Sequence, residues 1–145
     1  MITDYHIAMA SQDDLTEMQR ILQTSSHDWD ARMLSSCFGA SYKQWGIFFK
    51  GNLLGFAVIK KVTDHWELLQ IVIDREYQSQ GLAKRLLQYI IAEARIKKIK
   101  KIQLEVRRSN ISASKLYHSA GFREVGVRKK YYRGVEDAVL MDLVL

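Results

Sequence analysis

The residues best able to do chemistry fall in two stretches. In Leu104-Glu105-Val106 a carboxylate sits inside an apolar run, where it is costly unless it is hydrogen-bonded, ion-paired or used. Strand alternation puts Leu104 and Val106 on one face and Glu105 on the other. Taken alone, Glu105 could equally face water or pair with an arginine such as Arg107. Asn110 and Tyr117 follow closely. Asn110 precedes a short helical pattern and could simply cap it, and Tyr117 could pack beside Ala113 and Leu116. By type, a carboxylate and a phenol are groups that can take and give a proton.

In the second stretch, Ile71-Val72-Ile73-Asp74 runs through Gln78-Ser79-Gln80 to Gly81-Leu82-Ala83-Lys84. It reads as a buried strand, a short loop, a glycine and a long amphipathic helix. The first amides of a helix have no intrachain partners, and the macrodipole adds positive potential there. Such a loop can seat a pyrophosphate. Gly81 and the small Ala83 permit close backbone approach, and Lys84 and Arg85 add charge. A glycine at a helix start is also ordinary punctuation, so the spacing leaves a purely structural role open. Cys37, beside Phe38, reads as a small buried hydrophobe rather than a nucleophile. His6, His27, His65 and His118 lack metal-ligand spacing, so no metal is expected.

The elements that must position these residues follow from hydrophobic period. Tyr5, Ile7 and Met9 alternate as a first strand. Ser11 and Asp14 have capping-box spacing ahead of Leu15, Met18 and Leu22, and Ala31 to Cys37 is a second, shorter helix. Trp45 to Lys50 and Leu53 to Lys61 form a hairpin about Gly51-Asn52, with Trp66 to Ile73 as the next strand. Gly81 to Arg95 is the strongest helix, with Leu82, Leu86, Leu87, Ile90, Ile91 and Ala94 on one face. Lys101 to Val106 is a strand, and Ser112 to Ala120 a helix closed by Gly121. Phe122 to Lys130 and Ala138 to Val144 are the last strands, joined by Tyr131 to Asp137. The order β-α-α-β-β-β-α-β-α-β-β is mixed α/β, with a parallel step across the Gly81 helix.

The 145 residues, without proline, repeats or linkers, read as one domain. With 48% hydrophobic and 26% charged residues, the chain is neither disordered nor membrane-spanning. The amino-terminal stretch, with Asp4 in a polar alternation, lacks the form of a secretory signal. A single cysteine excludes an internal disulfide and suggests a reducing cytoplasm. Residues 1–70 carry six Lys/Arg against eight Asp/Glu, and residues 71–145 sixteen against eight. The basic half suggests an anionic partner. Lys97 to Lys101 sit at a helix end, where cations are favoured anyway. They are not interleaved with aromatic residues as a nucleic-acid module would require, so direct nucleic-acid binding is not expected.

Taken together, these stretches resemble the GNAT superfamily of N-acetyltransferases, and within it the bacterial ribosomal-protein alanine N-acetyltransferases (RimI type). Ile71-Val72-Ile73-Asp74 with Gln78-Ser79-Gln80-Gly81-Leu82-Ala83 is similar to that family's acyl-CoA pyrophosphate loop. Leu104-Glu105-Val106-Arg107-Arg108-Ser109-Asn110, Leu116-Tyr117 and Ala120-Gly121-Phe122 form the more specific match. Arg128-Lys129-Lys130-Tyr131-Tyr132, Glu136-Asp137-Ala138 and Met141 resemble the family's tail, and His27-Asp28-Trp29 its tryptophan-bearing substrate loop. The chain departs from the pattern at Arg75, often proline; at Ala83, often glycine; and at Gln78, often arginine.

The resemblance implies a GNAT fold: a mostly antiparallel seven-stranded sheet with about four helices and a splayed parallel strand pair. It implies acetyl-CoA as cosubstrate, with Ile71, Val72 and Ile73 along the pantetheine arm. Ser79, Gln80, Gly81, Leu82, Ala83 and Lys84 would meet the pyrophosphate, and Asn110 would lie nearby. It further implies direct transfer to the N-terminal alanine of a small-subunit ribosomal protein, with Glu105 as general base and Tyr117 as general acid. The acceptor would lie between an acidic wall (Asp28, Trp29 and Asp30) and Tyr131 with Tyr132. Another protein N-terminus, a lysine side chain or a small amine is the alternative acceptor.

Overall fold

The computed structural model describes residues 4–25 and 29–145. His27 and Asp28 of the expected substrate loop lie outside the described residues. Seven strands, β1 (His6–Met9), β2 (Tyr42–Phe49), β3 (Asn52–Lys61), β4 (His65–Ile73), β5 (Lys101–Arg107), β6 (Arg123–Tyr132) and β7 (Glu136–Val144), form one sheet. Its order is β1-β2-β3-β4-β5-β7-β6. Four α-helices, α1 (Leu15–Gln23), α2 (Ala31–Ser35), α3 (Leu82–Ile96) and α4 (Ile111–Ser119), flank it. Among the described residues only β4 and β5 pair in parallel, across α3, as the alternation implies. No described helix is long and apolar enough to cross a membrane.

Local chemistry accounts for the element ends. Ser11 Oγ accepts from Asp13 N–H, and the Asp14 carboxylate accepts from Ser11 N–H. This capping box opens a 3-10 turn, Gln12–Asp14, that leads into α1. Asp30 caps α2 by accepting from Met33 N–H. The β2–β3 turn differs from expectation: its central residues are Lys50 and Gly51, both at positive φ (49° and 81°), and Asn52 already pairs with Phe49. Two positive φ values define the primed turn that matches strand twist. The last hairpin is longer than its pattern suggests. Tyr131 and Tyr132 belong to β6 rather than to the connection, because Arg133 and Gly134, at φ 52° and 70°, take the turn.

Two layers of core result. On one face α3 buries five of its six expected residues, Leu86, Leu87, Ile90, Ile91 and Ala94, against Trp45, Ala57, Ile59, Trp66, Leu68, Ile102 and Leu104, each large side chain contributing about 1.5–3 kcal/mol. On the other face α1 and α2 pack Met18, Ile21, Leu22 and Leu34 on Phe56, Val58 and Val72. Central β3, buried on both faces from Leu53 to Ile59, accordingly reads as an unbroken apolar run. A third cluster, Ile47, Leu54, Ile73 and Leu82, fixes the start of α3 against the end of β4. Cys37 is buried, its thiol donating to Met33 O and pushed above its ordinary pKa by burial.

Candidate active site

The site begins where β4 and β5 part. Their register runs from His65↔Lys101 to Leu68↔Leu104 and stops. Beyond it β4 stays on β3 as far as Gly55↔Ile73, and β5 stays on β7 as far as Arg107↔Ala138. The parting coincides with a bulge. Val58 faces Gln70 and Ile59 faces Leu68, so Leu69 is an extra residue on β4. A bulge bends its strand and reverses side-chain parity beyond it. Trp66 and Leu68 join the α3 core before the bulge, and Ile71 does so after it.

The gap opens into a cleft of about 1010 Å³ lined by Ile71, Glu105, Asn110, Tyr117, Tyr131 and Tyr132, and also by Trp29. Of the residues expected for catalysis and acceptor binding, Glu105, Tyr117, Trp29, Tyr131 and Tyr132 line this one cleft, whereas Asp30, which caps α2, is not among its lining residues. Glu105 is on the face away from α3, as alternation requires, and its side chain is 31% exposed. Its cationic partner is Arg128 at 3.3 Å on β6. Arg107, the partner weighed from the sequence, instead meets Glu136 at 2.9 Å. Tyr117 comes from the other face, on α4, packed against Phe122 with ring centres 5.8 Å apart. Burial, and then the neighbouring Tyr132, push the phenol well above its ordinary pKa, so it stays protonated at neutral pH. Asn110 does cap α4, accepting from Ala113 N–H at 3.2 Å, while also lining the cleft.

The outer wall is the β6–β7 hairpin, pinned to the β5–α4 junction. Glu136 accepts from Ser109 N–H at 2.7 Å and from Arg107, and Arg107 also lies 4.5 Å from the Tyr132 ring centre. Asp137 accepts from Lys130 N–H. The Ser109 contact and Arg107 hold the Glu136 carboxyl below its usual range. The Lys130 amide, followed by Lys129 and Arg108, does the same for Asp137.

The loop after β4 lies off the cleft, at the strand's open end. Val72 and Ile73 are core residues, 4% and 6% exposed, so only their main chains are available to a ligand. Ser79 and Gly81 have φ of 63° and 81°, a turn geometry that gathers amides into an anion-binding concavity. The first α3 hydrogen bond is Arg85 N–H to Gly81 O at 3.1 Å. The amides of Leu82, Ala83 and Lys84 therefore precede the helical ladder. Leu82 itself is core; Ser79, Gly81 and Lys84 are exposed and Gln80 half-buried. A smaller groove of about 270 Å³ continues between α3 and α4, with Lys84, Leu87, Ile91 and Arg95 among its lining.

Three residues that the sequence reading left without a role hold this loop. Asp74, 4% exposed, accepts from Glu76 N–H at 3.1 Å and from the Arg20 guanidinium of α1 at 3.0 Å. Gln78 donates to Ile73 O at 3.0 Å. The capping spacing of Asp74 is visible in the sequence; its partner 54 residues earlier is not.

Known proteins place the chain. Residues 7–122 match the Acetyltransferase (GNAT) family. The ribosomal protein bS18-alanine N-acetyltransferase of Escherichia coli is 36% identical over 118 residues, covering 79% of this chain and 80% of that protein. The crystal structure of the ribosomal-protein-S18-alanine N-acetyltransferase from Escherichia coli superposes with a TM-score of 0.91 at 33% identity, over 97% of this chain and 93% of that one. A GNAT family acetyltransferase from Elizabethkingia anophelis, solved with acetyl-CoA bound, shares the fold at a TM-score of 0.83 and 19% identity, over 99% of this chain and all of that one. The chain belongs to the GNAT acetyltransferase family and is an acetyl-CoA-dependent N-acetyltransferase.

Proposed function

We propose that this chain, acting as one domain over residues 1–145 in the cytoplasm, transfers acetyl from acetyl-CoA directly to the N-terminal alanine amine of a ribosomal protein. The observation that carries the reading is the meeting of Glu105 and Tyr117 at the gap between β4 and β5. The names of the full-length relatives supply the acceptor class.

The fit to acetyl-CoA rests on main chain and charge. Beyond Leu68, β4 has no β5 partner, so backbone groups of Ile71 to Ile73 can receive a pantetheine arm. One amide there can polarise the thioester carbonyl as an oxyanion donor. The Ser79 to Lys84 segment, with Lys84 and Arg85, fits the pyrophosphate, and Asn110 stands at the edge of the cleft.

A peptide α-amine has a pKa of about 7.7–8.0 and is mostly protonated at neutral pH. Glu105, directly or through one water, takes a proton from it. The freed nitrogen lone pair attacks the thioester carbonyl, the C–N bond forms as the C–S bond breaks, and the nitrogen gives its second proton to solvent. Tyr117 gives its proton to the leaving thiolate and regains one from solvent. Trp29, Tyr131 and Tyr132 flank the acceptor.

The test mixes purified protein and acetyl-CoA with three peptides. One has a free N-terminal alanine, one has that amine blocked but carries a lysine, and one begins with a bulky residue. Acetylation of the first alone supports the proposal. Equal use of the second would move the acceptor to lysine, and thiol release without acceptor preference would point to small amines.

A further inference from the structure

The end of the sheet at which β4 and β5 begin gathers charge that the proposed acetyl transfer does not use. Seven of the chain's twelve lysines lie there. Lys43 is near the start of β2, Lys60 and Lys61 end β3, Lys97 and Lys98 follow α3, and Lys100 and Lys101 open β5. The registers Lys43↔Ile59, Lys61↔Trp66 and His65↔Lys101 bring these positions to one edge of the fold. Lys100 is neutralised by Asp64 at 3.5 Å and Lys101 by Asp142 at 3.7 Å. Among the described residues, Lys43, Lys60, Lys61, Lys97 and Lys98 take part in no ion pair within 4.0 Å. Glu93 is the one acid whose charge acts on Lys43.

The helix dipole explains cations at Lys97 and Lys98. It does not explain Lys43, Lys60 and Lys61, which arrive on strands. Lys43 is held in place by two indoles, its ammonium 5.5 Å from the Trp45 ring centre and 5.4 Å from that of Trp66. Burial first, then the nearby Lys97 and Lys61, disfavour its charge. Like charges kept this close, with Glu93 only partly offsetting them, leave a position that a further anion would stabilise.

We propose that Lys43, Lys61, Lys97 and Lys98, which share the α3 side of the sheet, form a docking surface for the phosphate backbone of a nucleic acid. Lys60 alternates to the α1 and α2 side, near Cys37. Lysines act as point charges toward phosphates, without the planar fork that reads base edges. Trp45 and Trp66 are 2% and 1% exposed, so no stacking platform is offered to bases. The surface is therefore a backbone reader without sequence preference. It also leaves the cleft open, since none of these lysines lines it. The sequence alone hid the surface, because only the Lys97 to Lys101 run is contiguous.

The probe is a fluorescein-labelled 16-base-pair RNA duplex of arbitrary sequence, titrated with the full chain in saturating coenzyme A to occupy the Ser79 to Lys84 loop. Binding is expected at 50 mM KCl and should weaken steeply by 200 mM. Lys43→Gln/Lys61→Gln/Lys97→Gln should lower affinity at least tenfold and flatten the log–log salt slope by about 0.7–0.9 per lysine removed. Acetylation of a free peptide should stay unchanged. Lys97→Gln/Lys98→Gln, confined to an exposed helix end, carries the same test with a smaller loss should the triple variant melt early. Four results would overturn the proposal: no binding at 50 mM KCl, wild-type binding by both variants, loss on Lys129→Gln/Lys130→Gln in the hairpin instead, or equal binding of polyglutamate, which would make the partner an acidic protein.

Discussion

From His65 to Leu68, β4 is hydrogen-bonded on both sides; from Leu69 to Ile73 it keeps β3 and loses β5. The first half, His65-Trp66-Glu67-Leu68, alternates polar and buried apolar residues and the second, Leu69-Gln70-Ile71-Val72-Ile73, is mostly aliphatic, yet both mix buried with half-buried side chains. The difference lies in what the backbone is for. In the first half its donors and acceptors are consumed by the sheet, and the side chains serve the α3 core. In the second half one edge is left for a ligand, and a carboxylate from β5 and a phenol from α4 reach the opening. Strand pairing and catalysis compete for the same main-chain groups, and the bulge at Leu69 sets the boundary between them.

The largest test of that division is chemical. Glu105→Gln should lower kcat by about 10²–10⁴-fold, and Tyr117→Phe by a similar or smaller factor, with acetyl-CoA affinity nearly intact in both. Steady-state kinetics beside calorimetric titration of coenzyme A would check it. Loss of cosubstrate binding in either variant would mean the side chain supports the pocket rather than the proton transfers.

Next comes a matched pair across the boundary. Ile102→Ala, in the doubly paired half and fully buried, should cost about 2–5 kcal/mol of stability while kcat and KM hold below the melting transition. Gly55 faces Ile73 in the open half. A Cβ there would lie 2.5 Å from Ile73 Cδ1 and 2.7 Å from the Val72 carbonyl oxygen. Gly55→Ala should therefore cost about 1–3 kcal/mol and, unlike Ile102→Ala, raise KM for acetyl-CoA as the end of β4 is displaced. Chemical denaturation and initial rates on both variants would separate them; equal kinetic effects would erase the distinction drawn here.

Much of this frame is legible in the residues. The α3 stripe is read correctly because six apolar side chains repeat at helical period and nothing else fits them. The Glu105 face is read correctly because β5 alternates without interruption. The Leu69 bulge is not legible: Leu68 to Ile73 is apolar but for Gln70, and a single polar residue is too little to mark where parity flips. The turn at Lys50-Gly51 is displaced by one residue because a lysine at positive φ has no compositional signature. The Arg128–Glu105 and Arg20–Asp74 pairs link residues 23 and 54 apart, and only the fold sets them side by side. The splay itself is implied by family resemblance and by nothing in the local pattern.

A smaller effect is expected at the loop's anchor. Arg20 is half exposed and its partner Asp74 is buried, so the pair should contribute about 1 kcal/mol or less after solvent screening. Arg20→Met should raise KM for acetyl-CoA by about two- to fivefold with little change in kcat, and Arg20→Lys should recover part of the loss. A fall in kcat without a KM change would place Arg20 elsewhere in the reaction.

The subtlest test lies in the shape of the pH profile. The acceptor amine must lose a proton before attack, so the rate should climb through about pH 7.7–8.0. The donor phenol is displaced the other way. Burial, reinforced by Tyr132, raises the pKa of Tyr117 above the ordinary tyrosine value of 10.0, so the protonated, donating form persists wherever the amine is already neutral. The profile should therefore rise to a plateau with no descending limb up to pH 10, and Tyr117→Phe should lower the plateau without moving the ascending limb. An alkaline downturn near pH 9 that disappears in Tyr117→Phe would show that the phenol ionises early. In that case the site on the open half of β4 would be wetter than the burial of Tyr117 against Phe122 implies.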